Sequence, residues 1–109
     1  MTTTHDFTAD VNRYSVKPID AAVKGIIKHL GIALKDKDAR FVACTDKGER
    51  DRVRESFLKK KLGLRKPDPE LDQAIMEVCG RMKGDRDKSR VAFYYLLAEK
   101  FDKLSVFES

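Results

Sequence analysis

Apolar residues recur at the α-helical period wherever this chain shows a period at all, and that spacing restricts the folds open to it. The clearest stripe follows Pro18, a residue type that is tolerated at the first helical position, and consists of Ile19, Ala22, Val23, Ile26, Ile27 and Leu30. The same repeat occurs further along, at Leu71, Ile75, Val78 and Met82. The sequence therefore predicts an all-α fold in which one face of each helix lines a shared core.

Start and stop signals divide the chain into five predicted helices, over about residues 6–14, 18–30, 46–62, 68–83 and 91–101. Asp46 and Glu49 form a pair close to a capping box at the start of the third helix, and Gly63 is expected to end it in the left-handed conformation. Asp68 is the expected cap of the fourth helix. The brief apolar run 41–45 has no second strand to pair with, so we expect no sheet.

The last helix is expected to lie at the centre of the bundle. Its sequence, VAFYYLLAEKF, is apolar on more than one side, because Tyr95 and Leu96 fall outside the main apolar arc. A helix of this kind is usually covered by several neighbours. Tyr95 is also the one aromatic residue that the spacing leaves exposed. Tyr95 and Leu96 are therefore candidates for contact with a protein partner.

Length and composition are those of a small soluble domain. The 109 residues are 41% hydrophobic and 38% charged, and we expect a single domain over 1–109 in which residues 1–17 dock loosely. No stretch approaches the roughly 20 apolar residues that span a bilayer, and the first residues do not have the pattern of a secretory signal. Two cysteines are too few for a disulfide scaffold. We therefore expect a cytoplasmic location and no membrane association.

Positive charge is concentrated in the middle of the chain. The net charge is +5, and residues 40–66 carry ten Lys or Arg against four Asp or Glu. The lysines at 59–61 fan across about 200° of an α-helix, because consecutive residues are turned by 100°. We interpret them first as a charged helix end that complements the helix dipole. The alternative is an anion or nucleic-acid contact, for which no recognised module is present, through Arg52, Lys59, Arg65 and Lys66.

Candidate chemistry is limited to the cysteines. A sulfur at Cys44 would lie near the start of the third helix, which lowers a thiol pKa, and His29 would have to act as its base. Two interpretations compete with this reactive thiol: packing of Cys44 and Cys79 as small hydrophobes, and a redox disulfide between them. The two Cys and two His lack the short spacing of zinc ligands. No metal, cofactor or enzyme activity is indicated.

A resemblance to a known family is carried by three segments, VACTDK, FLKKKLGL and AFYYLLAEKF. They resemble the small bacterial proteins called domain of unknown function 2853, and the likeness covers roughly residues 20–107. It implies bacterial origin and a compact helical domain, and it implies no activity or functional residue. Arg50 departs from the family pattern, in which an apolar residue is expected. This edge of the third helix is therefore expected to be more exposed and to enlarge the basic face.

Two functions are compatible with these observations. The first is a non-catalytic module that binds a protein partner or a second copy of itself, because the Tyr95 and Leu96 side of the last helix needs a cover. The second is binding of nucleic acid or another polyanion through the basic residues.

Overall fold

The computed structural model describes Val11 and residues 20–30, 41–84 and 88–107. The helices within these ranges are α1 (Asp20–Leu30), α2 (Lys47–Arg52), a π-helical segment that continues α2 (Val53–Lys61), α3 (Asp68–Arg81), α4 (Arg90–Lys100) and a short 3₁₀ helix (Leu104–Phe107). The predicted all-α class is confirmed.

Four of the five predicted helices are thus present in the described ranges. The predicted first helix and the loosely docked segment 1–17 lie outside them, as does Pro18, except that Val11 is helical and buried. No helix among the described residues is long and apolar enough to cross a membrane.

The central position of the last helix is confirmed. Every residue of α4 from Val91 to Ala98 is buried, and α1, α3 and the 3₁₀ helix all contact it. The Ser89 hydroxyl accepts a hydrogen bond from the Ala92 amide at 3.3 Å and so caps its start. The expected exposure of Tyr95 is wrong: Tyr95 is 1% exposed and Leu96 is fully buried. Neighbouring elements of the same chain cover the side that was assigned to a partner.

Residues 53–61 form a π-helix rather than the predicted α-helix. In a π-helix the amide of one residue bonds the carbonyl five positions earlier, as Leu62 does to Phe57 at 2.9 Å. Val53 and Leu62 are nine positions apart, which is half a turn out of phase on an α-helix at 100° per residue. The wider turn brings both onto the buried side with Phe57 and Leu58. Burial of this stripe accounts for the change of period.

The end of the π-helical segment has the predicted form. Gly63 has a φ of 68°, in the left-handed region that glycine adopts without steric cost. The Leu64 amide then donates to the Leu58 carbonyl at 3.0 Å, and the Leu64 side chain packs against the core. This is the stop signal of a helix followed by its hydrophobic contact.

In the segment 41–46, the first two residues pair with the start of α4, and the rest form a turn that is closed by the Asp46 amide donating to the Ala43 carbonyl at 3.1 Å. Phe41 and Ser89 form an isolated bridge, and the Val42 amide donates to the Lys88 carbonyl at 2.8 Å. The described residues contain no other strand pairing, in agreement with the expected absence of a sheet. A disulfide joins Cys44 to Cys79 on α3, with their Cα atoms 6.0 Å apart.

The helix starts follow the predictions only in part. Asp46 caps α2, since its carboxylate accepts from the Gly48 amide at 2.9 Å. Glu49 does not complete a capping box; it is buried and accepts a hydrogen bond from Arg90. Asp68 is not the cap of α3, because Pro67 precedes the helix in extended conformation and Asp68 is its first residue.

Arg50 does not enlarge a basic face. It is half-buried, and its Nη1 donates to the Cys44 carbonyl at 2.7 Å. The guanidinium is therefore turned toward the segment 41–46 rather than toward solvent.

Candidate anion-binding site

Lys59, one of the four predicted anion contacts, forms ion pairs with two carboxylates. Its Nζ lies 2.8 Å from Glu55 and 2.7 Å from Asp68, and these hydrogen bonds, led by that of Asp68, raise the pKa of Lys59. Asp68 belongs to α3, so the lysine ties the π-helical segment to the next helix. An incoming phosphate would have to displace both carboxylates.

Two of the other three predicted contacts are paired as well. Arg52 donates to Glu49 at 3.0 Å, and the Nζ of Lys66 lies 3.7 Å from Glu70. Arg65 is exposed in the connection between the π-helical segment and α3. Three of the four residues therefore have their charge opposed by a neighbour, which weakens the predicted contact surface.

The three consecutive lysines diverge, as the sequence predicted. Lys59 reaches α3, Lys60 is exposed, and the ammonium of Lys61 lies 5.3 Å from the centre of the Phe107 ring. A cation over an aromatic face is attracted by the ring quadrupole. Lys61 is thereby directed toward the 3₁₀ helix and α1.

Lys61 meets two further basic side chains at a cavity of about 360 Å³. Lys28 and His29 come from the last turn of α1, and Lys61 from the end of the π-helical segment. The apolar part of the wall comes from the 3₁₀ helix, at Val106 and Phe107. We call this site, lined by Lys28, His29, Lys61, Val106, Phe107 and Gly25, the basic cavity.

The aromatic core fixes the shape of the basic cavity. The ring of Phe107 stacks on Phe57 with 5.9 Å between centroids, and Phe57 stacks on Tyr94 of α4 at 4.0 Å. His29 lies edge-on to Phe107 at 6.0 Å. Such pairs add to the energy of simple burial. The cavity wall is thus continuous with the hydrophobic core.

Among the described residues, no carboxylate forms an ion pair with either lysine of the basic cavity, Lys28 or Lys61, at N–O distances up to 4.0 Å. The pKa of His29 is lowered, first by partial burial and then by the nearby charge of Lys61. Both causes disfavour the protonated imidazole: burial because it removes water from the charged form, and Lys61 because its charge has the same sign.

Helix dipoles offset part of this charge. The basic residues occupy the last turns of α1 and of the π-helical segment, and each helix end carries roughly half a negative charge. Two ammonium groups therefore exceed two helix ends by roughly one positive charge. The described residues that line the cavity therefore carry a net positive charge.

The model of the family described as "Protein of unknown function (DUF2853)" matches residues 6–105. The chain belongs to this family. The DUF2853 match includes Lys28, His29 and Lys61, while Phe107 lies just beyond its end. The family description assigns no activity to these residues. No curated protein matches the chain significantly.

Cys44 is not a free thiol in this structure, because its sulfur is bonded to that of Cys79. The disulfide that the sequence left open as an alternative is therefore present. His29 faces the basic cavity rather than pairing with Cys44. The arrangement of a thiol next to a histidine base is not formed.

Sequence reasoning missed Lys28 as a contact and considered His29 only as a base. A signal was available in the sequence, since both are basic residues in the last turn of the helix that ends at Leu30. Their meeting with Lys61 was not visible, because 33 positions separate it from Lys28 and no local pattern links them.

Proposed function

We propose that this DUF2853 protein is a non-catalytic binding module whose ligand is a phosphate-bearing polyanion, such as a nucleic-acid strand. The observation that carries the proposal is the convergence of Lys28, His29 and Lys61 on one cavity, with no carboxylate within ion-pair distance of either lysine among the described residues. Phosphate contacts from lysines give affinity without sequence preference.

The basic cavity supports this proposal better than the surface that the sequence singled out. Arg52, Lys59 and Lys66 would each have to exchange a carboxylate for a phosphate, which recovers little net energy at an exposed site. Lys28 and Lys61 have no such exchange to make within the described residues. The volume of about 360 Å³ is ample for a phosphate group with part of its sugar.

Binding of a protein partner through Tyr95 and Leu96 is not retained as a proposal. Both side chains are buried by other parts of the chain, so they offer no surface to a partner. A cytoplasmic location and bacterial origin remain proposals that rest on the sequence and on the family resemblance.

Two double variants with the same change in charge test the proposed function. Lys28→Gln/Lys61→Gln alters the basic cavity, whereas Lys24→Gln/Lys60→Gln alters exposed lysines of the same two elements that do not line it. Each lowers the net charge of +5 by two. Fluorescence anisotropy with a single-stranded oligonucleotide of about twelve nucleotides, at low salt and at about 0.15 M salt, measures the affinity.

We expect the cavity variant to bind at least about tenfold more weakly, because a hydrogen bond to a charged group contributes about 1.5–3 kcal/mol. Its salt slope should also fall by roughly 0.7 for each lost contact. The control variant should lose less than about threefold affinity, as expected for exposed charges. Equal losses in the two variants would show a general charge effect, and absence of binding at low salt would end the proposal.

In a second experiment, inorganic polyphosphate competes with the labelled oligonucleotide for the protein. Equal affinity for the two would show that the cavity binds phosphate groups in general. Tighter binding of the oligonucleotide would indicate added contacts to sugar or base. In either case the NMR-detected pKa of His29 should rise on binding, because an anion opposes the effect of Lys61. A His29 pKa that does not move would place the ligand elsewhere.

A further inference from the structure

The disulfide between Cys44 and Cys79 connects two parts of the chain that are 35 residues apart. Cys44 belongs to the turn within the segment 41–46, and Cys79 to the last turns of α3. These are the two cysteines of the chain, so the bond has no alternative pairing within one molecule. It is the covalent link between this segment and α3.

The segment has other attachments that do not depend on the disulfide. The Val42 amide donates to the Lys88 carbonyl at 2.8 Å, and Arg90 donates to the Phe41 carbonyl at 3.2 Å. Both partners belong to the start of α4 and the residues just before it. The segment is therefore held on α4 by hydrogen bonds and on α3 by the disulfide. Opening the bond removes the second attachment and leaves the first.

The two sulfurs occupy different surroundings. Cys79 is 7% exposed inside α3, whereas Cys44 is half-buried and lies between exposed Ala43 and Thr45. The guanidinium of Arg50 binds the Cys44 carbonyl at 2.7 Å and places a positive charge near this residue. This positive charge attracts an approaching thiolate anion. Because Cys44 is also the more exposed of the two, it is the sulfur that an external thiolate reaches first.

We propose that Cys44–Cys79 is an exchangeable redox bond that a dithiol reductant opens at Cys44 while the fold persists. One thiolate of the reductant attacks Sγ of Cys44, the Cys44–Cys79 bond breaks, and Cys79 leaves as a thiolate and takes up a proton. The second thiol of the reductant then attacks the mixed disulfide and releases Cys44. The protein gains two electrons and two protons, and the reductant becomes a disulfide. The reverse reaction closes the bond again.

A cleft of about 290 Å³ between α2 and α3 is linked to the bond through residues that contact or flank the two cysteines. Arg50 lines this cleft and also binds Cys44, while Ile75 and Met76 form its apolar side one turn before Cys79. Met76 is the large hydrophobic residue that the described part of the chain leaves most exposed, at 51%. Opening the disulfide frees α3 from the segment that positions Arg50. The redox state therefore acts on the α2–α3 cleft.

In the reducing compartment that we propose for this protein, disulfides are usually transient or redox-sensing.

To test the proposal, the folded protein is reduced with increasing concentrations of dithiothreitol in the absence of denaturant. Alkylation and mass spectrometry count the thiols, circular dichroism follows the helix content, and hydrogen exchange follows each segment. We expect both thiols to appear with helix content retained, and faster exchange confined to residues 41–46, α2 and the end of α3. Reduction that requires denaturant, or that abolishes the helices, would overturn the proposal.

Single variants test which sulfur is attacked. Cys79→Ser leaves a thiol at Cys44, and Cys44→Ser leaves one at Cys79; the first should react with an alkylating reagent at least about tenfold faster. Equal rates, or a faster Cys79, would contradict attack at Cys44. The double variant Cys44→Ser/Cys79→Ser shows whether the chain folds without the bond. A double variant that fails to fold would overturn the proposal, because the disulfide would then be indispensable to the structure.

Discussion

At the scale of single residues, Glu49 is the buried carboxylate that holds α2 against α4. It is 7% exposed and accepts from Nη2 of Arg90 at 2.5 Å, and Arg52 donates to its other oxygen at 3.0 Å. Arg90 also binds the Phe41 carbonyl, so one guanidinium joins three parts of the chain. Hydrogen bonds between charged groups are stronger than those between neutral groups, so this carboxylate contributes to holding α2 against α4.

We predict that Glu49→Gln lowers the free energy of unfolding by about 1.5–3 kcal/mol, the typical contribution of a hydrogen bond to a charged group, because the buried carboxylate that accepts from both Arg90 and Arg52 is lost. Urea denaturation at neutral pH measures the change. The matched control is Asp51→Asn, which removes a similar carboxylate from exposed pairs with Lys47 and Arg54 and should cost much less, because solvent screens such pairs. Equal costs for the two variants would show that Glu49 is no more important than a surface charge.

At the scale of elements, Gly25 decides how closely α1 approaches the 3₁₀ helix. A Cβ at this position would overlap the carbonyl oxygen of Phe107, which is backbone and cannot turn aside. A Cβ on Gly80 in α3 would have no neighbouring atom within 4 Å. The two glycines lie in helices of similar length and differ in what surrounds them.

We therefore predict opposite signs for two identical substitutions. Alanine is favoured over glycine inside a helix by about 1 kcal/mol, so Gly80→Ala should raise the free energy of unfolding by up to that amount. Gly25→Ala should lower it by about 1–3 kcal/mol, the typical cost of overpacking, despite the same gain in propensity. Thermal unfolding of both variants measures the difference. A stabilising Gly25→Ala would mean that α1 and the 3₁₀ helix are not packed this closely.

At the scale of the whole molecule, acid should weaken the fold in two stages. The pKa of His29 is lowered from 6.5 by burial and then by Lys61. The unfolded chain therefore takes up this proton first, and stability falls as the pH drops from about 6.5 through the lowered value. The pKa values of Asp51 and Glu55 are lowered from 3.8 and 4.5 by hydrogen bonds, led by those of Lys47 and Lys59 respectively. Their contribution is present above about pH 4.5 and is lost below it.

The expected result is a free energy of unfolding that begins to decline as the pH falls through about 6.5, the ordinary pKa of histidine, and declines again below about pH 4.5. Urea denaturation across pH 3–8 checks it, and His29→Gln should remove the first decline while keeping the second. Constant stability between pH 7.5 and 5 in the wild type, or an unchanged first decline in the variant, would contradict the assignment to His29.

The sequence by itself determined the elements whose signals are local. The apolar repeat at Leu71, Ile75 and Val78 placed α3, and the all-round apolar run placed α4 at the centre, because burial of apolar surface dominates the energy of such segments. Gly63 ended its helix as expected, since the left-handed conformation is a property of that residue. The spacing of Val53, Phe57, Leu58 and Leu62 also fits a π-helix, but four apolar residues do not distinguish this period from that of an α-helix with one residue out of phase.

Only the tertiary structure decided which charges and which cysteines meet. Asp68 neutralises Lys59, while Lys61, two residues on, reaches the basic cavity with Lys28. Cys44 finds its partner 35 residues away. Neither periodicity nor composition records these encounters, because they depend on how closely helices pack and not on any one helix. Electrostatic interactions act over a few ångströms in space, and the distance along the chain does not specify them.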